Sequence, residues 1–214
     1  MFDLHVHTAY SRDGHASPEA LARRLRDRGF AGMAITDHNT TEGAFRHIRL
    51  DDFLVIPGIE ISTERGHLLG LGIQEPVTSR AAVEAVEEIH HAGGIAVVPH
   101  PGRTLSGTMK HFDDLAIDAI EACNGRSFPA QNRRAAALAG RREKGVTGGS
   151  DGHFAWEVGS AYTVAEPRPE TVDDLLEVIR KKQTTCASLP SLLRPLRASA
   201  AALARYVSDG FARV

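Results

Sequence analysis

Eleven histidines, against eight Phe, three Tyr and one Trp, concentrate a side chain whose uses near neutral pH are metal ligation and proton transfer. His5 and His7 stand two apart in an apolar run, Phe2-Asp3-Leu4-His5-Val6-His7. On a strand that spacing sends both rings from one face, as two ligands of one metal require. The same spacing recurs at Asp151 and His153, just past the run Gly145–Gly149. His38 follows Ala34-Ile35-Thr36-Asp37, Glu60 follows Val55-Ile56-Pro57-Gly58-Ile59, and His100 follows Ile95-Ala96-Val97-Val98-Pro99. Each of these residues is expected at the C-terminal end of a strand. A single such histidine reads as a packed or helix-capping residue; the repeated placement points to a metal cluster. His15, His47, His90, His91 and His111 lack that placement and are expected to be structural or surface residues, His90 and His91 at a helix end where a cation suits the dipole.

The elements that must carry these residues alternate in type. Strands are expected at Phe2–Val6, Gly32–Thr36, Phe53–Ile56, Ile59–Thr63, His67–Gly72, Ile95–Pro99, Ile117–Ala122, Gly145–Gly149 and Ala161–Ala165. Segments of helical period lie between them. Ser17-Pro18-Glu19 opens one, an N-cap followed by Pro at the first helical position, and Gly29 stops it. Others are expected at Thr41–Arg49, Ser79–Ala92, Pro129–Lys144 and Pro169–Lys182. This alternation predicts an α/β domain with a largely parallel sheet, and in a β/α barrel the C-terminal strand ends meet at one mouth, where distant ligands converge. Residues 1–183 are expected to form one barrel domain, and residues 184–214 a helical extension. In the extension Leu196, Ala200, Leu203, Val207 and Phe211 recur at helical spacing between Arg197, Arg205 and Arg213. Such a helix would pack on the barrel wall, contact a second copy or form a flap near the site.

The 25 basic and 27 acidic residues leave a net charge of −2, which argues against a protein held by charge on a nucleic-acid backbone or an anionic membrane. Cys123 and Cys186 stand far apart in sequence and in no C-x-x-C spacing, so neither a disulfide framework nor a thiolate zinc knot is expected, and a reducing compartment fits. With neither a leader pattern nor a run of ~18 apolar residues, the expected location is the cytoplasm.

The strings His5-Val6-His7-Thr8, Tyr10-Ser11-Arg12-Asp13-Gly14, Thr36-Asp37-His38-Asn39, Pro57-Gly58-Ile59-Glu60-Ile61-Ser62, Gly66-His67-Leu68-Leu69-Gly70, His100-Pro101 and Gly149-Ser150-Asp151-Gly152-His153 together resemble the PHP (polymerase and histidinol phosphatase) family over residues 1 to about 182. The resemblance implies a distorted (β/α)7 TIM-like barrel, here followed by the C-terminal amphipathic helix, with two to three divalent ions (manganese, zinc or iron) at its mouth. One ion would take His5 and His7 with Glu60 and Asp151 as shared carboxylates, a second Glu60, His67 and His100, and a third Asp13, His38 and His153. Asp13 stands where many relatives place a histidine, and a harder oxygen ligand tilts that site toward manganese or iron relative to zinc. Asp37 is either a group orienting a neighbouring imidazole or a helix cap. Many larger phosphatases of this kind carry a cap domain after the strand holding His67. Only Gln74–Thr78 intervene here, which implies a more open mouth.

The chemistry implied is metal-dependent hydrolysis of a phosphate monoester, of the nucleotide, histidinol phosphate or sugar phosphate class, by a metal-bridging hydroxide, with Glu60 and Asp151 as the bridging carboxylates. There is no P-loop. Arg103, in His100-Pro101-Gly102-Arg103, is a candidate bidentate phosphate clamp. The expected partner is a small phosphorylated substrate, with no membrane. Three alternatives stand beside this reading. A nuclease trimming nucleic-acid ends would use Arg23-Arg24, Arg133-Arg134 and Arg141-Arg142-Lys144, although on helices these read better as solvated faces. A noncatalytic partner-binding module would be expected to have lost ligands, and all nine positions are filled. An amidohydrolase would call for a strand-end Lys, which none of Lys110, Lys144, Lys181 or Lys182 supplies.

Overall fold

The computed structural model describes every residue except 47, 49, 74, 104–106, 190, 192 and 209–214. Nine strands form one sheet in the order β7-β6-β5-β4-β3-β2-β1-β8-β9. They are β1 (Phe2–Val6), β2 (Gly32–Ile35), β3 (Leu54–Thr63), β4 (Gly66–Leu71), β5 (Ile95–Val98), β6 (Ala119–Asn124), β7 (Gly145–Gly149), β8 (Ala161–Ala165) and β9 (Thr184–Ser188). The runs β1-β2-β3 and β5-β6-β7 are parallel, while β4 and β8 enter antiparallel to their neighbours. The sheet curls until its first strand meets its far side. Asp151 N donates to His5 O at 2.8 Å and His7 N donates to Gly152 O at 3.0 Å, so the end of β7 is stitched to the end of β1 and the barrel is nearly closed.

Two of the predicted strands, Phe53–Ile56 and Ile59–Thr63, are one. Residues 54–57 of β3 pair with β2, residues 58–63 pair with β4, and Pro57-Gly58 is where the strand changes partner. A Cβ on Gly58 would lie 2.8 Å from Gly70 O, so the absence of a side chain lets the two backbones approach.

Helix α1 (Pro18–Arg26) begins where the sequence signals it, with Ser17 Oγ accepting from Ala20 N at 3.2 Å, and it buries Leu21, Ala22 and Leu25. Helices α2 (Ala82–His91), α3 (Pro129–Arg142) and α4 (Val172–Arg180) follow. Helix α4 starts at a Thr171 cap later than the predicted Pro169, and its Leu175, Leu176 and Ile179 pack against the barrel residues Phe2, Leu4, Leu71 and Ile95. The helix predicted at Thr41–Arg49 is absent among its described residues, which form turns; residues 47 and 49 lie outside the described set. Two Thr and a Gly in Thr40-Thr41-Glu42-Gly43 favour that outcome, since hydroxyl side chains compete for the backbone.

Residues 184–188 extend the sheet as β9, and helix α5 spans Leu193–Ser208, starting before the predicted Leu196. Among the described side chains of the face expected to be apolar, Leu196, Ala200 and Leu203 are exposed, while Pro195 and Ala198 are buried; those of Arg205 and Val207 lie outside the described set. Phe211 and Arg213 lie outside the described residues.

The expectation of unpaired thiols is overturned. Cys123 of β6 and Cys186 of β9 form a disulfide with Cα atoms 5.9 Å apart, because the curl of the sheet brings together strands 63 residues apart in the chain. The argument from cysteine usage for a reducing compartment falls with it. The bond ties β9 to the wall of the barrel. Cys186→Ser is expected to cost about 2 kcal/mol or more under oxidising conditions, lowering Tm by roughly 4–8 °C. A Tm of the unsubstituted protein that dithiothreitol leaves unchanged would show that the link carries no stability. Among the described residues no helix is long and apolar enough to cross a membrane.

Candidate metal centre

The strand ends bring the predicted residues to one place. His5 is the penultimate residue of β1 and His7 follows the strand; both Nε2 atoms face Glu60 Oε2, at 3.2 and 3.1 Å. Asp151 Oδ1 lies 3.7 and 3.5 Å from the same two atoms. Glu60 lies within β3, not at its end as predicted, and reaches the centre because β3 continues past its partner β2. His38 Nδ1 is 3.3 Å from Glu60 Oε2, and His67 Nδ1 and His100 Nε2 are 2.9 and 3.3 Å from Glu60 Oε1. Asp13 Oδ2 meets His153 Nε2 at 2.8 Å and His38 Nε2 at 3.6 Å. Thus all nine candidate positions converge. His100 and Asp151 both hold the left-handed backbone conformation, φ 37° and 54°, which costs a non-glycine residue energy and is typical of positions set by function.

Three sets of ligand atoms are mutually within 4.8 Å: His5, His7, Glu60 and Asp151; His7, Asp13, His38 and His153; and His38, Glu60 and His67. The second set adds His7 to the predicted trio. The third has His38 where the resemblance implied His100, whose ring is nevertheless in reach of Glu60.

The donor chemistry fits cations. His5 Nδ1 lies 3.0 Å from Glu121 Oε1, so a proton held there would free Nε2, which faces the centre, for a cation. His7 Nδ1 lies 3.4 Å from Ser11 Oγ, whose own proton goes to Asp37 Oδ1 at 2.8 Å, so its Nε2 is presented in the same way. Nε2 of His5 and His7, Nδ1 of His38 and His100, and Oδ1 of Asp13 are buried without hydrogen-bond partners. Buried polar atoms are almost always satisfied, and three of these exceptions, Nε2 of His5 and His7 and Nδ1 of His38, converge on Glu60 Oε2 as cation ligands would.

The electrostatics agree. Burial raises the Glu60 and Asp151 carboxyls, yet the surrounding histidines, and Arg103 beside Asp151, hold both well below the usual carboxylate range. Both are therefore anionic at neutral pH. Burial opposes a charge on His7, but contacts with Asp151 and Glu60 raise it to about 9, so without a cation the ring holds a second proton, which an ion at Nε2 would displace. His38, where burial dominates, falls to about 4.

Asp37 orients and does not cap a helix: its carboxylate accepts from Thr8 N at 2.6 Å, Thr8 Oγ1 at 2.7 Å and Ser11 Oγ at 2.8 Å, and Ser11 Oγ in turn accepts from His38 N at 2.8 Å. Arg103 Nη2 donates to Asp151 Oδ2 and Asn124 Oδ1, both at 2.6 Å, and its Nε donates to Ser127 Oγ at 3.1 Å.

Glu121 is the residue that sequence reasoning missed. It is buried in β6, and besides His5 it accepts from His100 N at 2.9 Å and Asn124 Nδ2 at 3.0 Å. A carboxylate inside the predicted apolar strand Ile117–Ala122 was the available signal. The sheet slips register by one residue beside each member of the His5–Glu121 pair, between Asp3 and Val6 in β1 and between Glu121 and Cys123 in β6. Bulges of this kind re-aim side chains next to sites. Glu121→Ala is expected to weaken metal affinity by about 10–100-fold, with Glu121→Gln retaining part of it. Metal titration followed by dialysis tests this; unchanged affinity in both variants would reduce Glu121 to a packing role.

The model for the PHP domain matches residues 3–123, and that for the PHP-associated region matches residues 129–184. An uncharacterized protein, MJ0417 of Methanocaldococcus jannaschii, is 30% identical over 81% of this chain and 74% of its own length. The 5'-3' exoribonuclease Rnm of Escherichia coli is 25% identical over 72% of this chain and 85% of its own. In fold, the chain is similar to a two-domain protein from Bacteroides vulgatus containing a predicted PHP-like metal-dependent phosphoesterase, with a TM-score of 0.70 and 17% identity over 87% of this chain. This chain spans 64% of that one.

Proposed function

The chain belongs to the PHP family of metal-dependent phosphoesterases, and on that premise we propose that it hydrolyses phosphate monoesters at the cluster built around Glu60. The observation that carries the proposal is the set of buried ligand atoms on His5, His7 and His38 that make no hydrogen bond and converge on Glu60. His5, His7, Glu60 and Asp151 would hold one divalent ion; Asp13, His38 and His153, with His7, a second; and Glu60 and His67, with His38 or His100, a third. When bound, such ions lower the pKa of a water and neutralise phosphate oxygens.

The protein's own groups do the positioning. Glu121 fixes the His5 ring and Asp37, through Ser11, the His7 ring, so that each presents one nitrogen without a search through rotamers. Arg103 is locked by Asp151, Asn124 and Ser127, and in this proposal its Nη1 edge binds a phosphate oxygen of the substrate.

A second reading, cleavage at the end of a nucleic acid, is favoured by the relative named as a 5'-3' exoribonuclease.

Incubation with manganese, zinc or ferrous iron and a panel of nucleotide, sugar and histidinol phosphates tests the proposal, and two to three metal equivalents per chain are expected. No turnover of any phosphate ester under any of the three metals would overturn it.

A further inference from the structure

The loop between β7 and β8 carries Asp151 and His153, and two buried carboxylates hold it. Asp3 closes its ends: Oδ1 accepts from Ser150 N at 2.8 Å and Oδ2 from Gly159 N at 2.7 Å. Glu157 lies inside the loop and is fully buried. Its Oε2 accepts from His153 N at 2.8 Å and from Phe154 N at 2.9 Å. It also forms a two-point pair with the half-buried Arg126, Oε1 to Nε at 2.8 Å and Oε2 to Nη2 at 3.0 Å.

Glu157 fixes His153 from the backbone side, and the rest of that residue is fixed as well. His153 O accepts from His15 N at 3.0 Å, and the ring Nδ1 lies 2.9 Å from Asp151 O. A carbonyl only accepts, so the proton is at Nδ1, and Nε2, 2.8 Å from Asp13 Oδ2, is the nitrogen left for a cation. Asp151 is held by other groups: its backbone N donates to His5 O, and its Oδ2 accepts from Arg103. The charge of the pair matters too. Burial works against the Arg126 charge, but Asp151, Glu157 and Asp13 stabilise it and lift its pKa above the usual arginine value. Without Glu157 that guanidinium would compete with a cation for Asp13. A buried ion pair adds little stability over apolar side chains of the same size, so stability does not explain this one.

We infer that Glu157 is a positioning residue for one ion of the centre, the one that Asp13, His38 and His153 would hold: it sets the His153 backbone and keeps Arg126 off Asp13. The inference rests on the reading of the cluster as the metal centre of a phosphoesterase. It predicts a selective effect, because the set of His5, His7, Glu60 and Asp151 takes its support from Glu121, Asp37 and Arg103 instead. The loop itself survives the loss of Glu157, since Asp3 still joins its two ends.

The metal-free protein is titrated with manganese, with the free ion followed by electron paramagnetic resonance and Tm measured in parallel. Glu157→Ala is expected to weaken one equivalent by about tenfold or more and to leave the others within about twofold of the parent. Glu157→Gln still accepts from the two backbone N–H groups, which keeps the fold, but it leaves Arg126 without an anion. The same equivalent should weaken several-fold in that variant. Adding Arg126→Met to Glu157→Gln removes the stranded charge and should return most of the loss. In an Asp13→Ala background, where that equivalent is already gone, Glu157→Ala should change the isotherm no further. The parent's isotherm in Glu157→Ala or in Glu157→Gln overturns the role, and equal weakening of every equivalent, in step with a fall in Tm, reduces Glu157 to a structural group. A parent that binds no metal removes the centre and this role together. A parent that binds metal in the expected pattern but turns over no phosphate ester leaves the role of Glu157 standing and removes only the proposed hydrolysis.

Discussion

Asp151→Ala is expected to lower kcat on any phosphate ester by about 10²–10³-fold, the scale on which removal of one preorganised charge-stabilising group acts. Asp151 is fully involved in the centre: its Oδ1 faces His5 and His7, and its Oδ2 accepts from Arg103 at 2.6 Å. Removing it takes a candidate ligand from the set it shares with His5, His7 and Glu60 and leaves the half-buried Arg103 without its anion. That second loss has its own signature, because breaking a buried pair by deleting one partner destabilises the fold. Asp151→Asn separates the two effects. It keeps an oxygen for Arg103 and the side-chain shape but removes the negative charge, so its Tm should stay nearer that of the parent while turnover falls as far as in the Ala variant. Metal equivalents should fall in both, and His7→Ala should behave in the same way. Full turnover in Asp151→Ala and His7→Ala together would remove the cluster from the reaction.

Gly149→Ala should be among the most destabilising single-methyl changes in the chain, by about 3 kcal/mol, or roughly 6–12 °C in Tm. A Cβ at this position would lie 2.4 Å from His5 Cβ and 2.5 Å from His5 N. Those atoms belong to the strand on the other side of the barrel seam, where the backbones are already joined by the bonds from Asp151 to His5 and from His7 to Gly152. Neither strand is free to shift: β7 is held on its other edge by β6, and β1 by β2. Gly140→Ala is the matched control. It lies in helix α3 with nothing within 4 Å of the added methyl, and should stabilise by about 0.5–1 kcal/mol by removing backbone freedom from the unfolded chain. Equal Tm values for the two variants would mean that the seam is looser than the hydrogen bonds across it imply.

Residues that announce chemistry by type and by position relative to an apolar run were legible before any coordinates. His5 and His7, Asp151 and His153, His38 and His100 all sit at or just past strand ends, where the apolar pattern stops and a polar group has no packing reason to be. The nine strands were less fully legible. The run Phe53–Thr63 reads as two strands because Pro57-Gly58 looks like a turn, and only the change of partner from β2 to β4 shows why the pair is tolerated within one strand. Thr184–Ser188 carries no strong strand signal, being short and half-exposed; its place in the sheet is set by β8 and by the link to Cys123. The supporting groups were hidden for a different reason. Glu121 orients His5 across 116 residues of chain, and nothing local to either residue records the other. The pairing of Cys123 with Cys186 escaped in the same way, since separation in sequence says little about separation across a curled sheet.

The two register slips set a reading frame for the site. With one extra residue in β1 before Val6 and one in β6 between Glu121 and Cys123, side chains beyond each slip face the opposite way from where an unbroken ladder would send them. Asn124 stands three residues after Glu121, an odd separation that an unbroken ladder would send to opposite faces; the extra residue lets both side chains reach the mouth, where Asn124 meets Glu121, Arg103 and Asp151. The centre is therefore encoded in the parity of residue counts along two strands as much as in the identity of its histidines.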